Sequence, residues 1–307
     1  MNLRTKNDLL DLAGRYATER RVPAATVIKE ILHYEILYAL GQSGAAANLT
    51  FQGGTALRLC YQGNRYSEDL DFVSGDGFEP EAMEPFSALL QKEIAEAYGL
   101  EVAVKAPKQK ESSDETVPVS RWSAKIKVPQ PDPSIAQAQI INIEVAGVPS
   151  YAPDLVSVNA NYAHLPAPMQ QMLITAESQA EILADKMVAL GARPFLKARD
   201  IWDIKFLLDR GVSADMEMVA KKIRDYGWAA DAFKDKLQEK LQQLGEHDTE
   251  VKFGQEMSRF VDAGAASQLK PGSTIVKNFM AKASSLGEQM LGADLDPPPA
   301  PRPRMRP

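Results

Sequence analysis

Cysteine occurs once, at Cys60, and histidine three times. A single thiol excludes an intramolecular disulfide and fits a reducing compartment, so the cytosol is the expected location. The histidines and Cys60 lie far apart, which argues against a zinc site with local ligand spacing. No stretch approaches the roughly 18 uninterrupted apolar residues of a membrane span. The charged opening MNLRTKNDLLDLAGRYATERR lacks the apolar core of a signal peptide, so no membrane role is expected. Positive charge is not in excess either. Lys and Arg total 35 against 41 Asp and Glu, a formal net charge of −6. Contact with nucleic acid would have to come from a local patch. There is no internal repeat. What remains is an ordinary globular composition, 45% apolar and 25% charged, over 307 residues, enough for two domains and a sizeable core.

Residues 5–40 read as helices, with Pro23 in a first turn, Gly41 as a stop, and Val27, Ile31, Tyr34 and Tyr38 on one face. NLTFQG then reads as a short strand, TALRLCY as a helix, QGNRYSE as a loop and DLDFVS as a strand. Residues 79–99 carry a helical stripe of Met83, Phe86, Leu90, Ile94 and Ala97. Three strands follow, LEVAVKA, VPVSRWSAKIKV and AQIINIEVAG, with the polar PKQKESSDET as an exposed hairpin loop. Beyond about residue 150 the β signal stops. ESQAEILADKMVALGARP is a helix whose Ser178 and Glu181 have capping-box spacing. LKARDIWDIKFLLDRG is another, and residues 213–292 read as several more. DPPPAPRPRMRP cannot form regular hydrogen-bonded structure and is expected to be disordered. The expected architecture is α+β. A mixed-sheet core with helices occupies residues 1–150, a helical C-terminal part 151–293, and a Pro/Arg tail 294–307.

In a strand, residues i and i+2 share a face, so Asp69 and Asp71 project together while Leu70 and Phe72 turn to the core. Such a pair could share divalent cations, magnesium above all, which would relieve its repulsion; it could equally be two acids on a solvated edge. In IINIEVAG, Glu144 sits with Asn142 on the polar face of a strongly apolar strand. That makes it either a third metal carboxylate or a surface residue. Arg121, Ser123, Lys125 and Lys127 alternate as a basic strip, able to meet a triphosphate or RNA backbone or simply to face water. Gly53 and Gly54 end a strand where a helix starts at Thr55. Free N–H groups at a helix start suit phosphate, and the Thr55 hydroxyl could cap the helix or bind a phosphate oxygen. The stretch is not a Walker P-loop, because no Gly-Lys-Ser/Thr follows, and a tight turn without ligand would look similar.

The ordered set GGTALRL, RYSEDLDF, ILADKMVAL and KARDIWDIKFL resembles the AbiEii/AbiGii toxin family of nucleotidyltransferases, over roughly residues 30–210. That family is similar to the DNA polymerase β-type nucleotidyltransferases. The resemblance implies that Asp69, Asp71 and Glu144 are metal carboxylates for two Mg²⁺, with Mn²⁺ as an alternative. It implies that Gly53, Gly54 and Thr55 hold the triphosphate, and that Lys186 and Asp200, with Asp203 next in line, serve activity. Lys186 could reach a phosphate or pair with an acid such as Asp200. Arg65 and Ser67 would orient the Asp-x-Asp loop or touch the nucleotide. Arg199 and Asp203, four apart on one helix, could form an ion pair that explains Asp203 without function. As a member, the chain would be the toxin of a toxin–antitoxin or abortive phage-infection system. It would move a nucleotide from an NTP to RNA, tRNA 3′ ends being the usual acceptor, and a cognate antitoxin would be its partner. The alternatives are a non-catalytic NTP- or RNA-binding module, or a protein-interaction subunit that keeps the fold.

Overall fold

The computed structural model describes residues 5–75, 78–107, 117–128 and 138–296. Most of the expected hairpin loop and residues 297–307 of the tail lie outside them. The chain opens with α1 (Lys6–Arg20) and α2 (Ala24–Ser43), followed by β1 (Thr50–Gln52), α3 (Gly53–Cys60), β2 (Leu70–Val73) and α4 (Glu84–Tyr98). Next come β3 (Glu101–Lys105), β4 (Val119–Lys127), β5 (Ala138–Ala146), β6 (Pro153–Ser157), α5 (Ala167–Gln170) and β7 (Leu173–Glu177). The rest is helical: α6 (Gln179–Ala192), α7 (Ala198–Asp209), α8 (Met216–Asp225), α9 (Ala230–Leu244), α10 (His247–Met257), α11 (Ala263–Gln268) and α12 (Thr274–Gly292). The α+β class expected from the sequence is what the chain adopts.

The strands form one seven-stranded mixed sheet in the order β3-β4-β5-β2-β1-β7-β6. β2 lies between β5, parallel to it, and β1, antiparallel to it. Leu70 and Phe72 of β2 and Ile141, Ile143 and Val145 of β5 are buried, and the Phe51 and Phe72 rings sit 5.0 Å apart. The other face of these strands is left for polar groups. Each such buried side chain contributes roughly 1.5–3 kcal/mol, so a one-residue slip that turned this face outward would be strongly disfavoured.

Three expectations need correction. The β signal does not stop at residue 150, because β6 and β7 complete the same sheet. Both are only five residues long; β6 is almost wholly exposed and carries no alternation, and β7 alternates over too short a stretch to stand out as β4 and β5 do. α2 runs past Gly41 and ends at Gly44, whose φ of 77° supplies the left-handed cap. It is buried on most sides, with Val27, Ile31 and Tyr34 inside and Tyr38 only partly so. The capping box at α6 is half-formed. Ser178 Oγ accepts from the Glu181 amide, but the Glu181 carboxylate turns to Ser150 Oγ and the Tyr151 and Ala152 amides. Past α12, Leu295 is still buried.

One buried acid in this helical layer gives the fold a pH signature. Glu35 of α2 is buried and accepts the Tyr98 hydroxyl of α4. Burial pushes its carboxyl up to about 7, against the Tyr98 hydrogen bond, with Glu93 adding to the rise. The protonated form is therefore the one the fold favours. Its contribution is complete below the ordinary carboxylate range and is lost as pH rises through about 7. Thermal melts of Glu35→Gln from pH 4 to 8 should show less decline with pH than wild type, with the variant the more stable of the two at pH 8.

Candidate active site

The register of the sheet assembles the acids. Asp71 of β2 pairs with Glu144 of β5 on one side and Gln52 of β1 on the other. Asp69 lies one residue ahead of β2, where its Oδ1 accepts from the Asn142 amide (3.2 Å) and Asn142 Nδ2 (3.0 Å). Both aspartates thus stand over the polar face of β5, as the period-two pattern requires. Asp71 is pushed up to about 6, first by burial and then by Glu144, with Asp69 adding to the rise and Lys186 and Arg193 opposing it.

α3 begins directly after the Gln52–Asp71 pair. No side chain caps its N-terminus, which leaves its first N–H groups without a capping partner beside the carboxylates. Gly53 has φ 77°, and a Cβ there would stand 2.9 Å from Asp71 Oδ2. A Cβ on Gly54 would stand 2.1 Å from an Arg65 guanidinium nitrogen. Thr55 is fully buried and donates its hydroxyl to the Asp69 carbonyl. In this arrangement it positions the aspartate loop rather than facing a ligand.

That loop is tied at nearly every residue. Arg65 Nε and Nη2 donate to the two Asp203 oxygens, each at 2.7 Å, and Nη1 donates to the Tyr66 carbonyl. The Tyr66 amide donates to the Phe260 carbonyl. Ser67 is half-buried. Glu68 lies 3.7–3.9 Å from Lys29, Arg199 and Arg259, and its carbonyl meets His33 Nε2 at 3.1 Å. Arg65 cannot yield without breaking its bidentate pair. Gly54→Ala should therefore cost about 1–3 kcal/mol, a fall of roughly 3–10 °C in melting temperature read by calorimetry.

α6 and α7 bring a buried ionic chain beneath this loop. Lys186 Nζ lies 2.7 Å from Asp200 Oδ1 and 3.1 Å from Asp203 Oδ2. Arg193 Nε lies 3.3 Å from Asp200 Oδ2. Burial works against the Lys186 charge, yet Asp200 and Asp203 hold its pKa above the ordinary value. Burial likewise opposes the Asp200 charge, but Lys186 and Arg193 keep its carboxyl below the usual range. The pairing of Lys186 with Asp200, one of its two sequence readings, is realised. The Arg199–Asp203 pair is not. Arg65 takes Asp203, while Arg199 lies 3.8 Å from Glu68 and 3.6 Å from Glu256 and stacks over Phe260.

The basic strip is partly neutralised, Arg121 by Glu144 and Lys127 by Glu101, each at 2.7 Å. As they stand, no three Asp, Glu, His or Cys side chains among the described residues are arranged to hold a metal ion. The donors nevertheless suit one. They are carboxylate oxygens only, Asp71 with Glu144 in register beside it and Asp69 one residue ahead of the strand. Glu144 pairs with Arg121, whose side chain is 62% exposed. A cavity of about 450 Å³ lined by Arg20, Arg58, Asn64, Tyr66, Asn161 and Asp262 includes none of these acids.

Asn142, His33, Glu68 and Arg193 were not singled out from sequence. Only Asn142 carried a signal, as the polar residue two before Glu144.

Among curated proteins none matches the chain. Two solved structures from Helicobacter pylori are similar along most of their length. One is a protein assigned as a nucleotidyltransferase without proof of activity, at 17% identity and TM-score 0.46, covering 86% of this chain and 96% of its own. The other is JHP933, at 16% identity and TM-score 0.45, covering 88% and 94%. A family model described as nucleotidyl transferase AbiEii toxin, type IV TA system, matches residues 35–276, a span that includes Asp69, Asp71, Glu144, Lys186, Asp200 and Asp203. By that match the chain belongs to the AbiEii family of nucleotidyl transferase toxins.

Proposed function

We propose that this chain transfers a nucleotide from an NTP to an RNA 3′ end, tRNA being the acceptor to test first, at the carboxylates between β2, β5 and the start of α3. The observation that supports it best is the register that sets Asp71 beside Glu144 and against Gln52, with α3 opening at the next residue. A phosphate bound at the start of α3 would then lie within reach of these carboxylates. Asp69, Asp71 and Glu144 would hold Mg²⁺, which supplies Lewis-acid stabilisation of the phosphoryl oxygens and a more acidic acceptor hydroxyl. The α3 N–H groups bind triphosphate oxygens. Gly53 and Gly54 let the start of α3 lie directly against Asp71 and the Arg65 guanidinium. The acceptor oxygen bonds to the α-phosphorus as the bond to pyrophosphate breaks, and Glu144 receives the hydroxyl proton. Lys186, Asp200, Arg65 and Asp203 hold the aspartate loop and the two C-terminal helices in register with the sheet.

The reading extends to the setting of a cytosolic toxin restrained by a cognate antitoxin protein and used in phage defence, and membership of a toxin–antitoxin family supports the toxin part of it. The deciding experiment incubates the purified protein with each α-labelled NTP, Mg²⁺ and total RNA. Label on tRNA-sized RNA is expected with at least one NTP. Absence of label with all four would leave a non-catalytic binding module as the better reading.

A further inference from the structure

Acids outnumber cations in this chain, so contact with nucleic acid has to come from a local patch. One lies beside the loop before β2. Lys29 of α2, Arg199 of α7 and Arg259 converge on Glu68, the residue before Asp69, at 3.9, 3.8 and 3.7 Å. Arg199 has a second acid, Glu256, at 3.6 Å. All four distances exceed hydrogen-bond range, and among the described residues none of the three cations donates a side-chain hydrogen bond. Three cations thus share one carboxylate and part of another. The exposed cations of the β4 strip differ, because Arg121 closes on Glu144 and Lys127 on Glu101, each at 2.7 Å.

The patch adjoins a cavity. Arg199 and Arg259 both lie over the Phe260 ring, at 5.0 and 5.5 Å, and the Phe260 carbonyl accepts from the Tyr66 amide at 2.7 Å. Tyr66 lines the cavity of about 450 Å³ together with Arg20, Arg58, Asn64 and Asn161. That volume falls in the roughly 300–1,000 Å³ range of small-molecule sites. Asn64 Oδ1 accepts the Trp202 indole N–H, and Asn161 Nδ2 donates to Glu30. Asn64 Nδ2 and Asn161 Oδ1 make no hydrogen bond among the described residues. The cavity wall therefore keeps an unused donor and an unused acceptor beside two guanidinium groups.

Resting on the nucleotidyltransferase reading, we propose that this surface holds the RNA acceptor behind its reacting end. A backbone phosphate replaces the Glu68 carboxylate among Lys29, Arg199 and Arg259, and an unpaired base enters the cavity beside Asn64 and Asn161. Glu68 is tethered, its carbonyl meeting His33 Nε2 at 3.1 Å and the next side chain, Asp69, bonded to Asn142, so its carboxylate stays at arm's length from all three cations. A phosphodiester carries no such tether, and a guanidinium donates to two of its oxygens at once. The cations serve any sequence. The asparagines meet a base edge, which is open for reading in a single strand.

The test compares wild type with Arg199→Gln, Arg259→Gln, Glu68→Gln and Asn64→Asp, and with Lys92→Gln and Glu96→Gln, a lysine and a glutamate exposed on α4. Binding of labelled single-stranded A, C and U homopolymers and of duplex RNA is read by fluorescence anisotropy over a range of salt, and the KM for tRNA and for NTP by labelled transfer. Each arginine variant should weaken all three homopolymers about fivefold and lower the slope of log affinity against log salt by about 0.7. Each should raise the KM for tRNA and leave that for NTP unchanged. Glu68→Gln should tighten binding several-fold, beyond any gain in Glu96→Gln, because the phosphate no longer displaces a charge. Asn64→Asp keeps the acceptor for Trp202 and removes the donor, so it should change the order of preference among the homopolymers. Lys92→Gln should match wild type. Homopolymer affinity within twofold of wild type in both arginine variants would overturn the proposal, as would equal losses for NTP and tRNA. So would a Glu68→Gln that binds no tighter than Glu96→Gln. An unchanged homopolymer order in Asn64→Asp, or duplex bound as tightly as single strand, would overturn the base site. Binding that follows the expected pattern in a protein that transfers no nucleotide would overturn the transferase reading alone.

Discussion

Asp71→Asn should reduce nucleotide transfer about a thousandfold or more while the protein melts no lower than wild type. The substitution removes one carboxylate charge and keeps the shape. The lost stabilisation of the reacting phosphoryl group is of the order of 4 kcal/mol, which is a thousandfold in rate. Stability should move the other way. The fold holds the Asp71 carboxyl at about 6, through burial first and then the repulsion of Glu144 and Asp69. The protonated form is thus favoured by folding, and its contribution is lost as pH rises from the ordinary carboxylate range through about 6. A neutral amide at this position escapes that loss. For a half-buried group still partly solvated the gain is about 1 kcal/mol. Transfer assays and thermal melts at pH 5 and pH 8 check both halves. Activity near the wild-type level in Asp71→Asn with Mg²⁺ present would remove Asp71 from the chemistry. A lowered melting temperature would mean that Gln52 or Gly53 depends on the charge.

The acids were legible because period-two alternation is local. Leu70 and Phe72 mark the buried face of β2 and Ile141, Ile143 and Val145 that of β5, so the faces of Asp71 and Glu144 follow from residues beside them. What no local rule states is that β2 and β5 run parallel with Asp71 against Glu144. Local rules also misdirected one reading. Arg199 and Asp203 are four apart on α7, but helical spacing is worth only ~0.3–0.5 kcal/mol. A guanidinium from a distant loop, with two aligned N–H groups in a buried site, takes Asp203 instead. Arg193 escaped notice because the break at Pro194 reads as a helix stop and nothing more. β6 escaped because almost none of its side chains enters the core, and β7 because five residues are too few for its alternation to stand out. Thr55 was read as a cap or a phosphate ligand. Its burial and its bond to the Asp69 carbonyl arise only when α3 packs on the loop before β2.

Lys186→Ala should relieve growth inhibition in bacteria expressing the protein, and it should also destabilise the fold. Lys186 is buried between Asp200 and Asp203 at 2.7 and 3.1 Å. Removing one partner of a buried ionic group leaves the others uncompensated and costs about 3–5 kcal/mol. Arg65 still satisfies Asp203, and Arg193 is near Asp200, so the lower end of that range is expected. A fall of roughly 6–12 °C in melting temperature would correspond. Loss of toxicity alone therefore cannot separate a lysine that acts on the nucleotide from one that holds Asp200 and Asp203 in place. The double variant Lys186→Met with Asp200→Asn separates them. Methionine keeps the apolar stem and asparagine removes the stranded charge, so much of the lost stability should return. If the double variant melts near wild type and remains non-toxic at equal abundance, the charged pair is needed for activity as well as for the fold. If stability and toxicity return together, the pair matters only as a structural link between α6 and α7. If Lys186→Ala is as toxic as wild type at equal abundance, the lysine has no part in activity, and the ionic chain from Arg65 to Arg193 is structural alone.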